Sequence, residues 1–477
     1  MRRRLILYWL FCLMAVMSLN SCLKTTDLYK GDKPDDGNEE TKLPDLSVPT
    51  TFDWNEVYVT IPLSGGVNVN DVQVSFPQLK YNKKFVYSYT FDDDVAQAYG
   101  KAFCTINKKW VDDNKFFHVG QTKTTGSTPT KTLGYTDGCG NERRFAFGVS
   151  IWPDNSNSSI DNFMEPTNHA VDQYYPYLVW KDVVPLVDFG CDLYLHDVDS
   201  TFFNIKEVSG ILSGLKICNQ KTKDMIGRKM KILARPNGND NYVTAAREYE
   251  DVVFILDGPD PITPSLAADN INLKNKCIAR RFIEPTPKYD ELIPAIDVAA
   301  ANSTYDWLND FSHAPEKFQF ILDLFTAIND KYGKDGTDIV WFATADEVYE
   351  YNYLKRNCVI TKSVSGNTLT LKIACPSTDL SNEFIYHRDF SVLLKGVTIQ
   401  SDAKLSSGKN VYGLSCAKQR DGSWLVNVDC NKSLLDRAER YTNTYEAKKT
   451  SSAKEDALYF INQLKEEYRT DAMKSIK

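Results

Sequence analysis

The apolar run Phe85-Val86-Tyr87-Ser88-Tyr89-Thr90-Phe91 ends in three consecutive acids, Asp92-Asp93-Asp94. A run so rich in aromatic residues reads as a buried strand. Successive side chains of a strand point to opposite faces, but where the strand ends and the chain turns, neighbouring carboxylates can converge on one centre. One can then bind a metal ion while the other serves as base. The same acids also suit a solvated turn or a helix N-cap, so their meaning depends on the rest of the chain.

Three later segments come in a particular order. Residues Leu178 to Ser200 read as a helix, a stop at Gly190, the strand Cys191-Asp192-Leu193-Tyr194-Leu195 and then His196, one helix-to-strand step of a parallel barrel or sheet. Lys231-Ile232-Leu233-Ala234 is a second apolar strand with Arg235 at its carboxyl end and the turn Pro236-Asn237-Gly238 after it. Asp310-Phe311-Ser312-His313 precedes a helical run, Lys317 to Tyr332, and the strand Ile339-Val340-Trp341-Phe342-Ala343-Thr344.

This ordered set resembles the polysaccharide deacetylase family, the NodB-like carbohydrate esterases, over Tyr81 to Tyr353. Thr90-Phe91-Asp92-Asp93 is similar to the family's Thr-Phe-Asp-Asp-Gly, with Asp94 in place of the glycine. His196 stands where the family has His-Ser/Thr-x-x-His, but Ser200 replaces the second histidine. Arg235-Pro236-Asn237-Gly238 is similar to the Arg-x-Pro-Tyr motif, and Asp310-Phe311-Ser312-His313 to the late Leu-x-His motif. The resemblance implies an α/β fold, a distorted (β/α) barrel of the NodB-like type. It also implies a hydrolase that removes acetyl groups from a polysaccharide or peptidoglycan.

In this scheme Asp93 and His196 hold a divalent metal, zinc, which lowers the pKa of bound water, and Asp92 takes the proton from that water. Arg235 orients Asp92 and keeps it a carboxylate, and His313 protonates the leaving group. A serine hydroxyl is a poorer zinc ligand than imidazole. The ion therefore either gains Asp197 or Asp199 as a replacement ligand or is held weakly or not at all. The hydrolase has two alternatives, a degenerate glycan-binding lipoprotein and a structural or assembly lipoprotein on the barrel scaffold.

Arg2-Arg3-Arg4, the apolar run Leu5 to Leu19 and the box Leu19-Asn20-Ser21-Cys22 resemble a bacterial lipoprotein signal with lipidation at Cys22. The expected location is the cell envelope, lipid-anchored at the outer membrane or its periplasmic face. Loss of the first 21 residues removes three arginines and no acid, taking the net charge from −7 to −10. Such a charge argues against nucleic acid as a partner. Nine of the 11 cysteines lie beyond Cys22, an odd number, and no CxxC pair occurs.

The chain divides into a signal peptide (1–21), a polar linker (22–47), a strand-rich lead-in (48–80) and the barrel (81–355). A β-rich part (356–430) and a helical tail (431–477) complete it. The β-rich part carries short alternating runs such as Thr368-Leu369-Thr370-Leu371-Lys372-Ile373 and Trp424-Leu425-Val426-Asn427-Val428, a β-sandwich pattern. In the tail Leu458, Ile461, Leu464 and Tyr468 predict one face of a single final helix.

Overall fold

The computed structural model describes residues 42–49, 52–111, 116, 129–151, 153, 177–198, 207–257, 266, 272–375 and 385–476. Strands β1 (Tyr58–Pro62) and β2 (Gln73–Ser75) come first, followed by β3 (Phe85–Phe91). Every residue of β3 is buried, which requires cover on both faces of its sheet. The alternation of side chains divides those faces. Tyr87, Tyr89 and Phe91 pack against Phe342, Phe325 and Phe318, whereas Ser88 and Asp92 turn the other way, toward Trp307 and Arg280.

After the hairpin of β4 (Gly134–Thr136) and β5 (Glu142–Arg144), strands β6 (Gly148–Ile151), β7 (Asp192–Leu195), β8 (Ile232–Ala234) and β9 (Phe254–Asp257) line up in turn beside β3. Helices α1 (Trp180–Asp188), α2 (Val208–Ile226) and α3 (Asp240–Glu248) make the crossovers, and every pairing in this sheet is parallel. Gly190 has φ +97°, the left-handed stop that lets α1 turn into β7. Strand β10 (Cys277–Ala279) pairs with β9, and β11 (Arg281–Phe282) pairs with β12 (Trp307–Ser312), which returns to β3. Arg280 alone separates β10 from β11. One stretch of chain therefore joins β9 to β12 and brings the sheet round into a barrel. Helices α4 (Tyr289–Ala301), α5 (Gln319–Tyr332) and α6 (Ala345–Asn357) complete the outer layer, with β13 (Val340–Phe342) added to the start of β3.

Strands β14 (Val359–Ser365), β15 (Thr368–Ala374), β16 (Asp389–Lys395), β17 (Ser406–Ser407), β18 (Gly413–Lys418) and β19 (Trp424–Asp429) form two antiparallel sheets. Each sheet recruits a strand from before the barrel. The orders are β14-β15-β1-β17 and β18-β19-β16-β2, so residues 48–80 are built into the β-rich part rather than standing apart from it. The sheets share their own apolar core, including Val59, Ile61, Leu369, Leu371, Val392 and Val426.

The tail is not the single helix expected from its periodicity. It forms α7 (Lys432–Lys448), α8 (Ser451–Ile461) and α9 (Glu466–Ala472), with left-handed Lys449 ending the first and the Thr450 side chain capping the second. Leu464 lies in the turn between α8 and α9. Leu434, Ala438, Phe460 and Leu464 join the core of the barrel, so its burial requirements, not one continuous stripe, set the breaks. The described chain from Leu43 onward is one compact unit.

Cys358 and Cys375 form a disulfide that joins the start of β14 to the end of β15. Peptide mapping without reductant should recover this cross-link. Replacing both cysteines by serine should cost about 3 kcal/mol, the loop-entropy value for a closed loop of this size, read as a lower urea midpoint.

Candidate active site

Asp92, His196, Arg235 and His313 directly follow β3, β7, β8 and β12, and Asp93 comes one residue after Asp92. All therefore sit at the carboxyl-terminal ends of parallel strands, the face where barrel enzymes assemble their sites. Asp92 is buried beneath this face and its two oxygens meet the two terminal nitrogens of Arg280, each at 2.7 Å. Ser150 Oγ donates to Asp92 Oδ1 at 2.9 Å. Burial pushes the Asp92 carboxyl up, but the Arg280 guanidinium outweighs it, helped by His196 and His313, and holds the group below its ordinary range. Asp92 is thereby kept ready to accept a proton.

Asp93 and Asp94 have φ of +64° and +56°. This left-handed turn is the conformation a glycine would supply, and Asp is among the few other residues that adopt it readily. The turn leaves the Asp93 carboxylate partly exposed, with Oδ1 at 3.1 Å from His196 Nε2. His196 Nδ1 lies 2.7 Å from the carbonyl of Ala234. A carbonyl only accepts, so Nδ1 carries the proton, as in metal-ligating histidines oriented by a second partner. Nε2 therefore donates to the Asp93 carboxylate when the ring is protonated, and offers a lone pair that can share a cation with it when the ring is neutral. Burial lowers the pKa of His196, but the charge of Asp92 and the hydrogen bond and charge of Asp93 raise it overall.

His313 completes the cluster. Its Nδ1 faces Glu284 Oε1 at 3.1 Å, and its backbone N–H donates to the same oxygen. Its Nε2 lies 3.7 Å from Asp93 Oδ2. Burial acts to lower the His313 pKa. The Glu284 hydrogen bond and the charges of Asp93, Asp92 and Glu284 prevail and lift it to about 9. One cluster thus holds a carboxyl kept below its ordinary range and an imidazole kept above it, set apart by their surroundings.

Residues 110–476 match the family model described as "Putative polysaccharide deacetylase". The chain belongs to the polysaccharide deacetylase family. No curated protein matches it. The matched region starts after Asp92 and Asp93 and runs through the antiparallel sheets and tail helices. The β-rich part is therefore integral to this deacetylase domain, and the first acidic segment owes its place in the site to geometry.

Two expected roles change. Arg235 does not pair with Asp92. Its Nε meets Asp257 Oδ1 at 2.6 Å and its Nη1 meets Asp240 Oδ1 at 2.9 Å. Asp257 ends the neighbouring strand β9 and captures the guanidinium, while β8 is three strands from β3. Arg280, in the stretch that joins the barrel, is the partner instead. Asp197 accepts from Tyr242 Oη and from the N–H of Val198, and it does not complete a metal-binding group with Asp93 and His196. Among the described residues no three His, Cys, Asp or Glu side chains form such a group. Asp199, Ser200 and Cys22 lie outside the described residues.

Arg280, Glu284 and Ser150 do not stand out in the sequence. A signal existed for the first. Cys277-Ile278-Ala279-Arg280-Arg281-Phe282 places two successive arginines in a strand, so one must point to each face and the inward one needs an acid. Arg280→Gln should destabilise the protein by about 3–5 kcal/mol, the cost of leaving a buried charge unpaired. It should also raise the Asp92 pKa, so that the acid limb of the rate profile moves to higher pH. Arg235→Gln should leave that limb in place. Urea melts and acetate release against pH for the two variants read both effects.

Proposed function

We propose that this deacetylase-family protein is an exported, lipid-anchored hydrolase that removes acetyl groups from a polysaccharide or peptidoglycan. The observation that carries this reading is the opposed tuning of Asp92 and His313 around Asp93. Pairs of titratable groups whose surroundings push their pKa values apart mark acid and base roles.

Asp93 Oδ1 and His196 Nε2 are two donors suited to a divalent ion such as zinc. A third protein ligand, the usual number at a catalytic zinc site, would have to come from outside the described residues, where Asp199 lies. A bound ion would supply polarisation of the acetyl carbonyl and acidification of a water. The protein's own groups do the rest. Asp92, held as a carboxylate by Arg280, takes a proton from the attacking water as its oxygen bonds to the acetyl carbon. His313, held as an imidazolium by Glu284, gives its Nε2 proton to the departing amine or alkoxide when the carbon–nitrogen or carbon–oxygen bond breaks. Acetate and a free amino or hydroxyl group result. Asp93 orients His196 on one side and faces His313 on the other.

Export is supported by the lipoprotein-like box at Cys22 and by the Cys358–Cys375 disulfide, a bond typical of oxidising compartments. A second reading, glycan binding without turnover, is favoured by the two-donor metal group among the described residues.

Acetate release from acetylated chitooligosaccharides, acetylated xylan and peptidoglycan separates the two. The hydrolase reading expects chelator-sensitive release that falls at least about 100-fold in Asp92→Asn, the scale of a general-base contribution. Glycan binding with no acetate from wild-type protein overturns it. Because Glu284 raises the pKa of His313, Glu284→Gln should move the alkaline limb of the rate profile to lower pH. An unmoved limb would remove His313 from the acid role.

A further inference from the structure

Residues 43–49 join the folded body on a particular face. Leu46 is buried, and its N–H donates to the carbonyl of Ile226 at 2.8 Å. Arg388 Nη2 donates to the carbonyl of Pro49 at 3.1 Å. The fit at Asp45 is tight, since a Cβ on Gly227 would lie 2.0 Å from Asp45 Oδ1. Ile226 ends α2 and Gly227 caps it on the way into β8. These contacts therefore lie at the amino-terminal ends of the barrel strands. Asp92, His196 and His313 lie at the carboxyl-terminal ends, so the chain enters on the face opposite the candidate site.

We infer that the site faces away from the bilayer that carries the anchor, and that its substrate is a glycan polymer beyond that bilayer rather than a saccharide borne on a lipid within it. This rests on the lipoprotein and hydrolase readings above. Its physical basis is reach. The 21 peptide links from Cys22 to Leu43 span at most about 70–75 Å in any conformation. A folded unit of the size of Leu43–Lys477 has a radius of gyration of about 22 Å, equivalent to a sphere of radius about 29 Å. Pressing the site against the anchoring bilayer would require the tether to run from the opposite pole round the body, a path of about 75 Å on the same scale. That is the whole length of the tether. With the site turned outward, the tether has its full length in hand and the polymer meets the open face.

The test uses the full lipidated chain in phosphatidylethanolamine–phosphatidylglycerol vesicles that contain an acceptor-labelled lipid. A donor dye is placed either at Lys317→Cys, on the exposed segment after His313, or at Asp224→Cys, exposed near the end of α2. Both are made in a Cys277→Ser background because Cys277 is exposed. Energy transfer to the bilayer should be at least threefold greater from position 224 than from position 317. An acetylated saccharide carried on a lipid in the same vesicle should lose acetate at least tenfold more slowly than the same saccharide free in solution. A 40-residue spacer inserted between Leu23 and Lys42 should restore that rate.

Equal transfer from the two positions, or equal turnover of the two saccharides without the spacer, overturns the inference. Failure to co-float with vesicles overturns the anchor, and the inference with it. Unequal transfer without acetate release from any saccharide upholds the orientation and removes the hydrolase reading, so the substrate claim falls.

Discussion

The ion pair between Arg280 and Asp92 ties the barrel to its chemistry. The stretch that completes the sheet is short, with three residues paired to β9 and two to β12. Few backbone hydrogen bonds can hold so brief a seam. Its two arginines are anchored on opposite faces. Arg280 meets both oxygens of Asp92 on one side, and Arg281 meets both oxygens of Asp310 on the other, at 2.9 and 2.8 Å. The guanidinium of Arg280 also stacks on Phe311, 3.9 Å from the ring centre. A buried ion pair adds little net stability compared with an apolar replacement, but it is costly to break from one side. The same pair that fixes the seam keeps the Asp92 carboxyl ionised, so barrel geometry and the proton affinity of Asp92 cannot vary independently.

A different polar cluster occupies the amino-terminal face. Lys231 and Glu350 form a fully buried ion pair, and Asp192 binds His387 at 2.8 Å, Arg228 at 3.0 Å and the hydroxyl of Thr344 at 2.6 Å. Glu350 also accepts the N–H groups of Tyr386 and His387. Lys80 bridges Glu347 of α6 and Asp389 of β16. These bonds join barrel residues to the segment that leads into β16. Buried charges on each side would be left unpaired without the other, which gives a physical reason why the family match runs past the barrel into the β-rich part.

Local patterning makes much of this legible. The stop at Gly190, the strand ending before His196 and the acids after Phe91 depend on neighbours in sequence, and each lies where its period and breakers put it. The antiparallel runs of the β-rich part are legible for the same reason. What escapes depends on pairs distant in sequence. Arg280 lies 188 residues from Asp92, while Arg235 finds its carboxylates on the adjoining strand and helix. Strands β1 and β2 can be read as strands, but their partners, β15 and β16, lie on the far side of the barrel sequence. The tail keeps its apolar positions but not its continuity, because contact with the barrel core, rather than a single helical stripe, determines where it turns.

The two departures from the family's motifs have unequal weight. Asp94 replaces a glycine at φ +56°, a conformation open to aspartate, so the turn that presents Asp93 survives the change. Ser200 replaces an imidazole, which changes the donor chemistry itself. Fewer nitrogen donors leave proton and metal in closer competition for the lone pair on His196 Nε2, and the nearby carboxylates raise the pKa of that histidine. A ligand must shed its proton before it can bind a cation. Charges that would draw a divalent ion to Asp93 and His196 would therefore also strengthen the proton that opposes it, and any metal loading should tighten as the pH rises through the titration of His196.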